Sequence, residues 1–599
     1  MGFFCDTILV TICCNGHSGQ FVKWVAIIVA KNHRKNERKQ QENIQSMKTN
    51  CKRVDLLITA GLNIIFFIAF VFVIGVKYET NDDLALSLLV EGAYGDRTPY
   101  MIYSNVLWGE LLVGLYTLVP AIKWYLVVMF FMLFVAHSVT TYINIRLQGR
   151  RVGLVTSTLM LLFLGYCSYS MFQYSRIAPV VTASGLLLLF YAIEYAEKKC
   201  EKTICLVVGT IMVVWSSLIR FQMFALAVVL AGGAIGVYKV WQIFIEKKKD
   251  WLKQICVYVA VFGTVGALSL VCLVIDKMYY TSDGWQYYQE FNQIRTELWD
   301  YGFPDYASNE KVYNSVGIDE QEFAYYLDWN MDEEYMTMEC LNTIADAKPD
   351  KSFDLFGFLS AFPKRYFIIS VFILFLIISI IAFAINWKNI YFILFEGLAV
   401  MTFEAYFYYI GRYGIARIDN AMWMVASIVI MYVISSSGKL EERWNVTWKN
   451  VVLSIGAIGV LFIADFVRVP LIYEGDTGSS KAFFEEIALD DEHLYIMTSE
   501  APKPYYAFDF WEPSQLGELS NIYNLYGWEF NHETKKAVLT EYGITNVYKD
   551  ALNNESVYFV AQDQRESLQT YIQANYDANA YLETVRVVDG VEVLRLCSN

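Results

Sequence analysis

The chain has 599 residues, 56% of them hydrophobic and 16% aromatic against only 18% charged, with a positive mean hydropathy. Soluble globular chains lie near roughly 45–50% apolar and about 25% charged, so this composition calls for a solvent other than water and excludes disorder, collagen and a small disulfide scaffold. A formal net charge of −14 argues against nucleic acid, whose phosphates it would repel.

Residues 1–46 hold a short apolar run, FVKWVAIIVA, followed by a Lys/Arg- and Gln-rich stretch. They are either an amphipathic cytoplasmic extension or an upstream start assigned in error; Met47, which opens a basic flank leading into the first long apolar run, favours the second. A crossing helix needs about 20 apolar residues. Such runs lie near 54–76, 122–144, 152–172, 178–196, 204–219, 223–245, 254–275, 366–386, 389–410, 421–436 and 451–471. A twelfth candidate, 101–119, carries Asn105 and Glu110 between Pro99 and Pro120.

Cytoplasmic loops collect Lys and Arg, and this decides whether 101–119 crosses. If it does not, Lys52 and Arg53, Arg146 to Arg151, Lys198 to Lys202, Lys247 to Lys253 and Lys439 to Lys449 all fall inside. The expectation is therefore an all-α polytopic bundle of about 11 transmembrane helices in the cell (plasma) membrane, with the amino end cytoplasmic. Non-spanning juxtamembrane helices lie within a first outer loop, 77–121. The domains follow as 47–275 (spans 1–7), 276–364 (an extracytoplasmic loop), 365–471 (spans 8–11) and 472–599 (a small extracytoplasmic α/β domain). In the loop, WQYYQEFNQIRTELW and DEQEFAYYLDW look helical around a GFPDY turn. In the tail, HLYIMTS, NVY and VYFVAQ look like strands, RESLQTYIQANY like a helix, and a hairpin is expected at Asp589-Gly590.

Asn81 precedes Asp82 and Asp83 at the start of an apolar helix in the first outer loop. Capping and dipole stabilisation account for this trio at roughly 1 kcal/mol. Alternatively, two carboxylates at the membrane surface supply a general base toward a hydroxyl, or hold a divalent cation. Arg176, Arg220, Arg412 and Arg417 lie at outer helix ends, against the positive-inside bias. Each alone is explained by snorkelling; four on one face with the Asp pair point to a phosphate-bearing lipid, because guanidinium grips phosphate with two parallel bonds. Glu404, inside a span, and Glu110 are candidates for lining the pocket. The aromatic residues of 276–364 suit packing and membrane anchoring, and also sugar C–H faces. No P-loop, GxSxG, HExxH or Rossmann fingerprint occurs.

An outer acidic pair after the first span (Asp82, Asp83), surface helices at 84–119, an outward Arg220 and a terminal α/β domain together resemble the GT-C superfamily of membrane glycosyltransferases, of the type found in bacterial surface-polysaccharide loci. The resemblance covers about residues 54–471. It implies a hexosyl- or pentosyltransferase that passes a sugar from a polyprenyl-phosphate carrier to a saccharide, lipid or protein acceptor outside the cytoplasm. Asp82 or Asp83 would deprotonate or orient the acceptor, or help hold a metal, and Arg220, Arg412 and Arg417 would hold the departing phosphate. Two other readings stand beside it: a transporter or flippase of lipid-linked saccharides, and a non-catalytic membrane assembly protein. All three predict contact with membrane lipid and none with nucleic acid.

Overall fold

The computed structural model describes residues 53–598 apart from 246–250, 350–351, 367–369, 439, 469–479 and 504–508; the 1–46 extension lies outside the described residues. Contacts divide the chain into a unit ending at Leu62, whose described part is helical, and a second unit from Asn63 onward. Among the described residues ten helices are long and apolar enough to cross a membrane: Arg53–Ile74, Trp124–Gln148, Arg150–Ser170, Tyr174–Glu194, Lys199–Ile219, Phe221–Phe244, Trp251–Tyr279, Trp387–Ile410, Ala416–Ser436 and Trp448–Val467. The expected eighth span is the shorter apolar helix Ser370–Ile385. The doubtful 101–119 segment contains the helix Val106–Leu118, whose 13 residues cover about 20 Å at 1.5 Å per residue, short of the roughly 30 Å hydrocarbon core. The chain is a multi-pass helical membrane protein with a small α/β region at its carboxyl end.

The bundle is centred on Tyr174–Glu194 and Ala416–Ser436, which are buried along almost their whole length. Lipid offers no hydrophobic drive for helices to associate, so close backbone approach and polar cross-links must hold them together. Gly185 and Gly209 supply the first: a Cβ on either would come within 2.8 Å of Val213 or Leu189 on the facing helix. Thr140–Ser184 (3.2 Å) and Thr182–Ser216 (2.6 Å) supply the second. Peripheral helices turn large apolar side chains outward, among them Val259, Val271, Val274, Val452 and Val460, as a lipid-facing surface requires.

Two short strands, β1 (Lys77–Tyr78) and β2 (Met171–Phe172), pair in parallel and tie the end of the first span to the end of the third. The carboxyl-terminal sheet comprises β3 (Leu494–Met497), β4 (Ile522–Asn524), β5 (Val557–Val560), β6 (Ala580–Val588) and β7 (Val591–Ser598), in the order β4-β3-β5-β7-β6. The fully buried LYIM of β3 lies between two parallel neighbours, as a continuous apolar run requires. Asp589 and Gly590 both take positive φ (51° and 80°) and close the hairpin. The NVY segment, expected as a strand, is instead in the helix Val547–Asp550, because the Asn546 side chain caps its first turn.

Described residues of the 276–364 loop pack against described residues of the 472–599 tail. Tyr325 and Tyr326 meet the hydroxyls of Tyr548 and Tyr571 at 3.0 and 2.9 Å. Asp332 accepts from Tyr571 at 2.9 Å and from Tyr576 at 2.5 Å. Tyr288, Tyr313, Tyr325, Tyr326 and Tyr335 of the loop are thus packing residues whose hydroxyls are satisfied inside the fold.

Candidate active site

Asp82 and Asp83 open the helix Asp82–Glu91, the two acidic residues of its first turn. Asn81 makes no side-chain cap there; its backbone is already helical (φ −67°, ψ −21°). The two carboxyls have separate environments. Asp83 is buried in the bundle, where its Oδ1 accepts from the Tyr125 hydroxyl (2.9 Å) and the Tyr174 backbone N–H (3.0 Å). Burial, opposed by these hydrogen bonds, holds its carboxyl well above the usual range. Asp82 faces a cavity of about 950 Å³, and its carboxylate has no hydrogen bond or ion pair among the described residues. The two aspartates do not form a joint site, and the donor set does not fit a divalent cation. Among the described residues no group of three or more His, Cys, Asp or Glu side chains is placed to hold one.

Arg220, Arg412 and Arg417 line the same cavity as Asp82. Arg220 ends the helix Lys199–Ile219 in extended conformation (φ −156°, ψ 99°). Its guanidinium lies over the rings of Tyr103 (4.7 Å) and Tyr174 (5.2 Å) and donates to the Tyr103 carbonyl at 3.4 Å. It has no carboxylate partner among the described residues, and neither does Arg417. Arg412 follows Gly411, whose positive φ (86°) ends its helix, and pairs with Asp300 at 3.1 Å. The Tyr103 phenol is pushed up to about 12, by burial first; Arg295 and Arg220 lower it and Asp82 raises it, so all three charges act on one ring.

Three other expected residues lie elsewhere. Arg176 does not line the cavity: it is buried against Glu79 (2.6 Å) and donates to the Cys167 carbonyl (3.1 Å). Its charge is already neutralised, and it anchors the chain just before Asp82 instead of receiving phosphate. Glu110 is exposed on Val106–Leu118, and is not among the lining residues. Glu404 is fully buried in its span, while Phe403, Phe407 and Ile410 of the same helix form the wall.

Several lining residues were not among the site residues expected from the sequence, and Trp329 entered there only as one of the 276–364 aromatics suited to packing, anchoring or sugar faces. Arg295 is 2% exposed and joins Asp300 (3.3 Å), so Asp300 bridges two arginines. Thr296–Asp300 is a π-helical turn, a distortion frequent at functional sites, and both of its end residues line the cavity. The carboxyl-terminal domain adds Ser499, Glu500, Lys503 and Tyr526. Lys503 lies over the Tyr526 ring (3.9 Å), and burial brings it down to about 8 against the opposing pull of Glu500 and Glu529. Trp329, also lining, is a bulky residue at φ 67°, a conformation costing about 1–3 kcal/mol that persists only where surroundings enforce it. The only sequence signal for Arg295 was its place in the aromatic helix; nothing linear joins residue 503 to residue 82.

The domain is locked to the first outer loop. Glu91 pairs with Lys123 at 2.8 Å, both about 1% exposed, and accepts from the Ser514 N–H at 2.7 Å. The Gly92 and Ala93 carbonyls accept from Gly517 and Leu519 at 2.8 and 2.7 Å. The domain lines the cavity together with the apolar residues Met223, Leu226, Val229, Phe403, Phe407 and Ile410 from the spans.

No protein-family model and no curated protein matches this sequence. Among solved structures the chain is similar to the crystal structure of ArnT from Cupriavidus metallidurans in the apo state, at 9% identity and a TM-score of 0.39, over 90% of this chain and 97% of that one. It is likewise similar to the same protein bound to undecaprenyl phosphate, at 9% identity and a TM-score of 0.36, with the same coverage.

Proposed function

We propose that this protein is an integral membrane glycosyltransferase of the GT-C kind, moving a sugar from a polyprenyl-phosphate carrier to an extracytoplasmic acceptor. One observation carries this reading: a carboxylate, Asp82, without a partner among the described residues shares a cavity with two arginines, Arg220 and Arg417, that have no counter-ion among those residues, beside an apolar wall from the spans. The wall suits a prenyl chain. A phosphate about 4 Å from either guanidinium gains about 4 kcal/mol at an effective dielectric near 20, and that gain increases as negative charge develops on the leaving oxygen.

In the step proposed, Asp82 accepts the proton of the acceptor hydroxyl while that oxygen bonds to the anomeric carbon. The bond from that carbon to the phosphate oxygen breaks, and its electron pair leaves on the phosphate, held by Arg220 and Arg417 with Arg412 beside them. Arg412 and Arg295 share Asp300, so they contribute less free charge. The basic loops support an outer placement, with the cavity end of the bundle on the extracytoplasmic side.

Asp82→Asn in the purified full-length protein is expected to lower turnover by at least about 100-fold, the scale of a positioned base, with binding of undecaprenyl phosphate unchanged. Full activity in that variant overturns the reading. A flippase would instead move lipid-linked saccharide across vesicles without forming any glycosidic bond.

A further inference from the structure

The cavity has an outer wall whose chemistry the Asp82–arginine machinery does not use. Leu327, Asp328 and Trp329 reach it from the outer loop, with Ser499 and Glu500 from the carboxyl-terminal domain. Trp329 is 36% exposed, whereas Tyr325 and Tyr326 just before it are at 2% and 1%. The backbone on both sides of it is clamped. The Trp329 N–H donates to the Tyr326 carbonyl (3.0 Å), and the Ser499 N–H donates to Asn330 Oδ1 (3.0 Å). Asn330 bridges to Tyr526, and the Asp328 carbonyl accepts from Gln564 at 3.3 Å. Between these clamps φ is held at 67°, and the indole stacks on no other ring among the described residues.

A large aromatic residue forced into a left-handed conformation and left uncovered in a cavity is an outlier that the surrounding fold enforces, and such outliers cluster at ligand clamps. The two carboxylates beside it, Asp328 and Glu500, disfavour an anion at this wall and accept hydrogen bonds from hydroxyls. We infer that Trp329 is the stacking platform of a saccharide subsite, its indole against the C–H face of a sugar ring and Asp328 and Glu500 accepting from the ring hydroxyls. The inference rests on the proposed transferase reading of the same cavity. The ring belongs either to the sugar on the lipid carrier or to a saccharide acceptor; the recognition chemistry is the same.

The test uses the full-length protein in nanodiscs with three probes: undecaprenyl phosphate, its glucosyl, galactosyl and mannosyl derivatives, and soluble maltohexaose. At least one sugar-bearing probe is expected to bind Trp329→Ala about tenfold more weakly than the parent protein, as loss of one stacking contact implies. Bare undecaprenyl phosphate is expected to bind both equally. Trp329→Tyr should restore most of the loss. Trp329→Gly, which relieves the positive φ, should show the same loss at unchanged or higher thermal stability. A deficit confined to the hexosyl lipids assigns the subsite to the donor, and one confined to maltohexaose assigns it to the acceptor. If no sugar-bearing probe distinguishes the parent from Trp329→Ala, or if bare lipid weakens equally, the subsite is overturned. Loss of bare-lipid binding in the Arg220→Ala, Arg417→Ala double variant tests the underlying reading separately.

Discussion

A helix turns about 100° per residue, so neighbouring carboxylates in its first turn diverge, and only Asp82 of the pair faces the cavity. Asp83 is committed to Tyr125 and to the Tyr174 backbone. Asp83→Asn keeps an oxygen acceptor for both donors, so it is expected to retain near-parental turnover and fold where Asp82→Asn does not; equal losses in the two variants would contradict the separation. Lys503 provides a pH signature. Its charge, held down to about 8 by burial, is present below that pH and lost above it. Affinity for undecaprenyl phosphate should therefore fall as pH rises from 7 to 9, and this decline should be absent in Lys503→Met. Isothermal titration across that range decides the matter.

At the scale of elements, the parallel pairing of β1 with β2 and the Arg176–Glu79 ion pair fix the chain entering the Asp82–Glu91 helix. Removing one partner from a buried pair leaves the other charge uncompensated, at about 3–5 kcal/mol. Arg176→Ala is thus expected to lower thermal stability markedly and to reduce turnover with it, whereas Arg220→Ala should weaken lipid binding at nearly unchanged stability. Paired melting and binding measurements separate the two arginines. The shared appearance of these residues in sequence, as arginines at outer helix ends, holds no trace of this difference. It arises because Glu79 lies one ladder away from the end of the third span.

At the scale of the whole molecule, the described parts of the carboxyl-terminal domain are joined to the first outer loop through Glu91 and Ser514 and to the 276–364 loop through the Tyr–Asp332 network, with Lys123 pairing Glu91. The inside-positive arrangement predicts opposite labelling of two sites in intact cells. A cysteine placed at the exposed Glu555 should react with a membrane-impermeant maleimide, while the native, exposed Cys200 should react only after permeabilisation. The reverse pattern would invert the orientation and place the cavity in the cytoplasm.

Composition and run length by themselves determined the membrane class and nearly all the candidate crossing helices, because hydrocarbon thickness constrains length and polarity one segment at a time; the reading of 101–119 as non-crossing came from the distribution of Lys and Arg among the loops. Much of the tail was legible for a similar reason: the buried run of β3 and the Asp589-Gly590 turn are local signals. The division of labour between Asp82 and Asp83, the neutralisation of Arg176, and the entry of Arg295, Trp329 and Lys503 into the cavity were decided only by tertiary structure. A charged side chain's role depends on which partner stands within a few ångströms of it, and those partners come from segments up to about 420 residues away, as Ser514 does for Glu91.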